Sequence, residues 1–196
     1  VGWEMCIRDS HNVEVGMQAL EDKDENKIKY VLEHEPVIDA LEEDITRYLT
    51  KMSEKEMGAE LSAMHTRLLH ACTDIERIGD HGEALAKDAR RMFEDDVKFS
   101  EEAKTELRAL GELVMQASGK AMEPLANNDK VLAQEAWDIC RQVKKAQKEI
   151  RKNHIVRLNE KRCDPVAGFM MMEILINLKR VSDHSKNISQ IVLGIF

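Results

Sequence analysis

The amino-acid sequence predicts an all-α protein, a six-helix antiparallel bundle made of two three-helix repeats. Three observations carry that reading. The chain combines 43% hydrophobic and 34% charged residues with only 4% aromatic residues and few Gly or Pro, the balance of a helical bundle rather than a sheet. Its apolar residues recur at spacings of three, four and seven. Finally, the stretch Asp74-Ile75-Glu76-Arg77-Ile78-Gly79-Asp80-His81 returns as Asn177-Leu178-Lys179-Arg180-Val181-Ser182-Asp183-His184, with Arg77 and Arg180, Asp80 and Asp183, and His81 and His184 each 103 residues apart. A duplicated half-chain accounts for that constant offset.

At 196 residues the chain can bury one real core. Its formal charge of -8, from 29 basic and 37 acidic residues, argues against nucleic acid and suits cations. No apolar run reaches the roughly 20 residues of a membrane helix; the best stretch, Val166 to Leu178, is short and carries Glu173. The chain by itself is therefore expected to be soluble. Cys6, Cys72, Cys140 and Cys163 are scattered, without a Cys-x-x-Cys or a secretory signal, which points to a reducing cytoplasm and to buried thiols rather than a metal site.

Residues 1–10 have neither helical periodicity nor a targeting pattern. Back-translated, with Trp3 one base from a serine codon, they resemble a transposon end used in sequencing-library preparation. They are expected to be non-native, with the natural N-terminus truncated and the folded domain running over 11–196, repeat one over about 11–95 and repeat two over about 96–196. A short helix is expected from His11 to Leu20, followed by a turn at Asp22, Asp24 and Asn26. The second helix carries Ile28, Val31, Leu32, Ile38, Leu41, Ile45 and Leu49, with Pro36 expected to kink it. Ser53-Glu54-Lys55-Glu56 has the form of a capping box, predicting that the third helix starts there. Its stripe runs through Leu61, Met64, Leu68, Cys72, Ile75, Ile78, Gly79, Gly82, Leu85, Ala89 and Phe93, the two glycines implying close approach of a neighbouring helix.

Glu94-Asp95-Asp96 separates the halves. Ser100 caps a fourth helix through Leu107, Leu110, Val114 and Met122, which ends at Pro124 and Asn127-Asn128-Asp129. A fifth covers Val131 to about Leu158, with Leu132, Ala136, Ile139, Val143 and Ile150 inward. The last opens at Asp164-Pro165, an N-cap followed by a first-turn proline, and carries Phe169, Met170, Leu175, Leu178, Val181, Ile188, Val192 and Ile195.

Residues four apart on a helix share a face, so Glu76 and Asp80 present two carboxylates about one turn apart. The same phase in the last helix holds Lys179, Asp183 and Asn187. A hard cation such as iron, manganese, magnesium or calcium takes about six oxygen donors. Glu76, Asp80, Asp183 and Asn187 are the candidate metal ligands, with Lys179 opposing a cation in the second copy. The competing reading is a solvated face with an Arg77 ion-pair cluster. His81 and His184 lie off that flank and read as hydrogen-bonding groups. There is no Glu-x-x-His, His-Glu-x-x-His, Gly-x-Ser-x-Gly, P-loop or dinucleotide fingerprint, so no catalytic activity is indicated.

The Asp74–His81 motif, its second copy and Glu35-x-x-Ile38-Asp39 resemble the PhoU-like domain, a family of two three-helix repeats. The run Arg162-Cys163-Asp164-Pro165-Val166-Ala167-Gly168 leading into Asn177–Ile188 is similar to the C-terminal cytoplasmic PhoU domain of bacterial sodium/phosphate cotransporters. That resemblance implies a regulatory domain on the cytoplasmic face of the cell membrane, partnered with an upstream membrane transporter domain, and a homodimer is a further expectation. It also implies iron or another divalent or trivalent metal at Glu76 and Asp80, and in the second copy only at Asp183 with Asn187. A free-standing PhoU regulator of a phosphate ABC transporter and its sensor kinase, and a metal-free helical interaction module, are the alternatives.

Overall fold

The computed structural model describes residues 2–54 and 56–195. Six long helices and one single-turn helix account for almost all of them, and no strand occurs among the described residues. In chain order they are α1 (Gly2–Asp22), α2 (Glu25–Ser53), α3 (Ala59–Glu94), α4 (Glu101–Met122), α5 (Pro124–Asn127), α6 (Lys130–Asn159) and α7 (Pro165–Leu193). The two-repeat bundle expected from the sequence is the observed architecture: α1, α2 and α3 pack together, as do α4, α6 and α7, and α3 and α7 form the seam between them.

Caps set most of the boundaries. Asp24, Ser100, Asp129 and Asp164 each accept a hydrogen bond from the first turn of the helix that follows. Pro165 occupies the first position of α7 and Gly194, at φ 74°, closes it. Asp96 and Asn128 turn the chain between helices with positive φ, in the acidic and Asn-rich breaks where turns were expected.

Several local expectations fail. The first ten residues are helical from Gly2 and continuous with 11–22, because Met5, Cys6, Asp9, Val13 and Met17 fall on one buried face; a polar Asp9 inside that face hid its period, and Val1 lies outside the described residues. Ser53 does not cap α3. It is the last residue of α2, its hydroxyl donating to the Thr50 carbonyl, and α3 starts at Ala59 after Gly58, which offers no side-chain cap; Lys55 of the supposed box lies outside the described residues. The first two turns of the α3 stripe are solvent-facing, with Leu61, Met64 and Leu68 exposed, while His65 between them is the buried residue, bonded to the Leu49 carbonyl of α2. The buried face of α6 is Ala133, Ala136, Cys140, Val143 and Ile150, one step round from the stripe drawn through Leu132 and Ile139. Likewise Phe169 and Ile195 are exposed. α2 continues unbroken through Pro36.

The core is aliphatic, centred on Ile78 and Leu85 of α3 and Ile174, Leu175, Leu178, Val181 and Ile188 of α7. Each such side chain contributes about 1.5–3 kcal/mol by leaving water. The expected close approach at Gly82 is real: a Cβ there would lie 2.9 Å from the Val13 backbone nitrogen, and one at Gly16 would lie 2.8 Å from the Gly82 carbonyl oxygen. α1 therefore rides directly on the backbone of α3. Cys6, Cys72 and Cys140 are buried thiols, while Cys163 is partly exposed.

Candidate functional site

The duplicated motif does two different jobs, one inward and one outward. Inward, its two copies clasp each other along the antiparallel α3/α7 seam. His81 Nδ1 donates to Asn177 Oδ1 at 3.2 Å, and His184 Nδ1 donates to Asp74 Oδ1 at 2.8 Å. Each histidine thus reaches the residue that opens the other copy, and the two imidazoles stack with centroids 5.8 Å apart. Burial pulls the His81 pKa down, against the raising effect of its bond to Asn177. The hydrogen-bonding role expected for both histidines is the one they have. Two further contacts extend the clasp: Asn177 Nδ2 donates to Asp88 Oδ2 at 3.0 Å, and Arg91 meets Glu173 at 3.1 Å.

Outward, Glu76 and Asp80 face α2. Arg77 bridges them on the solvent side, 2.7 Å from Asp80 and 3.5 Å from Glu76. Across from them α2 brings Glu35, Asp39 and Glu42, and α3 adds Glu83, so that both helices carry acids at the same i, i+4, i+7 spacing. Their mutual influence is visible in their protonation. Burial, then the charges of neighbouring acids, pushes Glu76 and Asp39 upward. Glu35 rises to about 7, chiefly through burial, although Asn12 donates to its Oε2 at 3.1 Å. Its other oxygen, Oε1, is buried without a partner. Asp9 of α1 sits under the same cleft, wholly buried with both oxygens unpartnered, and burial with Glu35 as the next cause lifts it to about 9. A Cβ on Gly79 would fall 2.2 Å from Asp9 Oδ1 and 3.6 Å from Glu35 Oε1, so the glycine of the motif opens the notch that both carboxyls occupy.

The four candidate ligands do not form one set. Asp183 is ion-paired with Lys179, and Asn187 Nδ2 turns inward to donate to Asp74 Oδ1 at 3.0 Å, inside the clasp. Glu76 and Asp80 remain together with Glu35 and Asp39. Among the described residues no three His, Cys, Asp or Glu side chains already converge as a metal-holding group. The donor chemistry nonetheless fits a hard cation, since the cleft offers carboxylate oxygens from two helices and a buried Glu35 oxygen lacking any partner. Glu42 and Glu83 were missed by sequence reasoning. The signal that finds them is the shared i, i+4, i+7 acidic spacing on two helices destined to pair.

The PhoU domain matches this chain twice, over residues 4–89 and 107–192. The chain belongs to the PhoU domain family. Each match spans one repeat of the PhoU bundle, and the first begins inside the segment at 1–10. Similar curated proteins include the phosphate-specific transport system accessory protein PhoU homolog 1 of Thermotoga maritima, 25% identical over 194 residues, covering 98% of this chain and 82% of that protein. A homolog from Pseudomonas aeruginosa is 24% identical over 181 residues, covering 90% and 73%. Among solved structures, PhoU from Pseudomonas aeruginosa superposes with a TM-score of 0.91 at 21% identity, covering 99% of this chain and 92% of that one. The phosphate transport system regulatory protein PhoU from Streptococcus pneumoniae gives 0.86 at 17%, covering 99% and 90%. At those identities the structures establish the shared fold. None of the helices in the described residues is long and apolar enough to cross a membrane.

Proposed function

We propose that this PhoU-domain chain is a non-catalytic regulator of phosphate transport, acting as a free-standing accessory protein to a phosphate transporter and its signalling partner. The observation that carries this reading is the double PhoU match, joined to curated relatives named as accessory proteins of phosphate-specific transport. Those names favour the free-standing form over a domain appended to a sodium/phosphate cotransporter. The appended form rests on the run Arg162–Gly168 leading into Asn177–Ile188, with Ser182 standing where the first copy of the motif has Gly79.

We further propose that the α2/α3 cleft holds a hard cation such as iron or manganese through Glu35, Asp39, Glu76 and Asp80, leaving Asp183 and Asn187 outside the site. The bound cation would supply fixed positive charge among carboxylates that otherwise repel one another. Two measurements test the proposal. In a bacterium lacking its own PhoU, expression of this chain is expected to restore repression of a phosphate-responsive reporter in phosphate-rich medium; a reporter that stays derepressed, with the chain folded and abundant, refutes the regulatory role. Separately, elemental analysis after reconstitution with iron or manganese is expected to find metal in the wild type and little in Glu76→Gln with Asp80→Asn. Equal metal in both proteins sinks the carboxylate site.

A further inference from the structure

The second repeat carries its own cleft between α6 and α7, and its charge is the opposite of the first. The buried α2 positions Ile28, Val31, Glu35 and Ile38 recur 105 residues later as the buried α6 positions Ala133, Ala136, Cys140 and Val143. That phase places Lys144 where the first repeat has Asp39. On α7, the 103-residue offset places Lys179 at the position of Glu76 and Lys186 at that of Glu83. Three carboxylates have become three lysines, while Asp183 keeps the place of Asp80. Gly79 has become Ser182, which is almost fully buried.

These residues meet in a real concavity of about 390 Å³, lined by Lys144, Lys179, Lys186 and Arg141 with Asp183 and Trp137. Lys179 is held by Asp183, and Arg141 leans on Asp138 at 3.5 Å. Lys144 and Lys186 have no ion pair among the described residues. Here four cations face one carboxylate in a pocket, on a chain whose formal charge is -8. Such a concentration of one sign in a low-dielectric recess focuses an attractive field on an anion. The volume lies in the range of small-molecule sites, about 300–1,000 Å³, and exceeds what a bare oxyanion fills. Trp137 supplies an aromatic surface, the kind on which a ring stacks.

We propose that the α6/α7 cleft binds a small phosphorylated anion, its phosphate held by Lys144, Lys179 and Lys186 and its organic portion against Trp137. The site is independent of metal in the α2/α3 cleft and of the transport partner. The test is tryptophan fluorescence of the full chain at low ionic strength, titrated with ATP, inorganic phosphate or citrate. Trp3 is the second of only two tryptophans, so Trp137→Phe assigns the signal. ATP is expected to quench saturably, and Lys144→Glu with Lys186→Glu to weaken binding by about tenfold or more, with binding falling as salt rises. Lys104→Glu, on an exposed turn of α4, is expected to bind as the wild type. Should the double Glu variant lose helical circular dichroism, Lys144→Gln with Lys186→Gln removes the same charges. Competition by inorganic phosphate assigns the site to the oxyanion itself, and its failure to compete assigns it to a nucleotide. The proposal is overturned if neither ATP nor phosphate binds at about 10 mM, if citrate binds as tightly as ATP, or if the charge variants bind unchanged.

Discussion

Replacing Asp9 by alanine is expected to stabilise the protein at neutral pH and to flatten its pH dependence. Asp9 has no exposed surface and neither carboxyl oxygen has a partner. Burial first, and then Glu35, raises its pKa from 3.8 to about 9. Because the folded state holds this proton more tightly than the unfolded chain does, its contribution is complete below 3.8 and is lost progressively as pH rises toward 9. Each pH unit in that window costs about 1.4 kcal/mol, so raising the pH from about 5.5 to about 7.5 removes roughly 3 kcal/mol through Asp9 alone. Glu35, raised to about 7, adds to the same slope below neutrality. The assay is urea unfolding followed by circular dichroism at the two pH values, for wild type and Asp9→Ala. Stability of the variant should exceed that of the wild type by more at the higher pH. Parallel pH profiles would show that Asp9 is solvated or paired in solution, and the reasoning would fail.

Two further expectations follow from the packing. Gly82→Ala must push its Cβ into the α1 backbone and is expected to cost about 1–3 kcal/mol despite better helix propensity; Gly119→Ala on α4, where a Cβ meets nothing within 4 Å, is expected to gain up to about 1 kcal/mol, and thermal denaturation ranks the two. Asp74→Ala removes the acceptor shared by His184 and Asn187 and is expected to cost about 1–3 kcal/mol. Because the partners are in contact, adding His184→Ala should cost much less than its single effect, and strictly additive chemical-denaturation energies would disprove the clasp.

The helices were legible where a stripe and a cap agreed, as at Asp164-Pro165 and Ser100, because both signals are local. They were not legible where a residue's burial depends on where its neighbours end. Leu61, Met64 and Leu68 continue the α3 stripe in phase, yet all three are exposed. The α1 face failed for the opposite reason, since Asp9 is polar but fully buried. At the site, spacing placed Glu76 and Asp80 on one flank. It could not tell that α2 would supply the opposing acids, or that Asn187 would turn inward to Asp74. Pairing between elements is a tertiary fact, and a single helix's period carries no information about its partner.

The reciprocal clasp of His81 with Asn177 and His184 with Asp74 has an evolutionary consequence. After a half-chain doubles, the surface on which the twins meet must satisfy both at once, so a change on one side requires an answering change on the other. Asp74 and Asn177 differ, yet each still receives the opposite histidine. The far side of each twin instead meets a different helix, α2 for the first copy and α6 for the second. Within one molecule the two copies meet through the same pair of histidines, while their outer flanks carry opposite charge, Glu76 and Glu83 on one and Lys179 and Lys186 on the other.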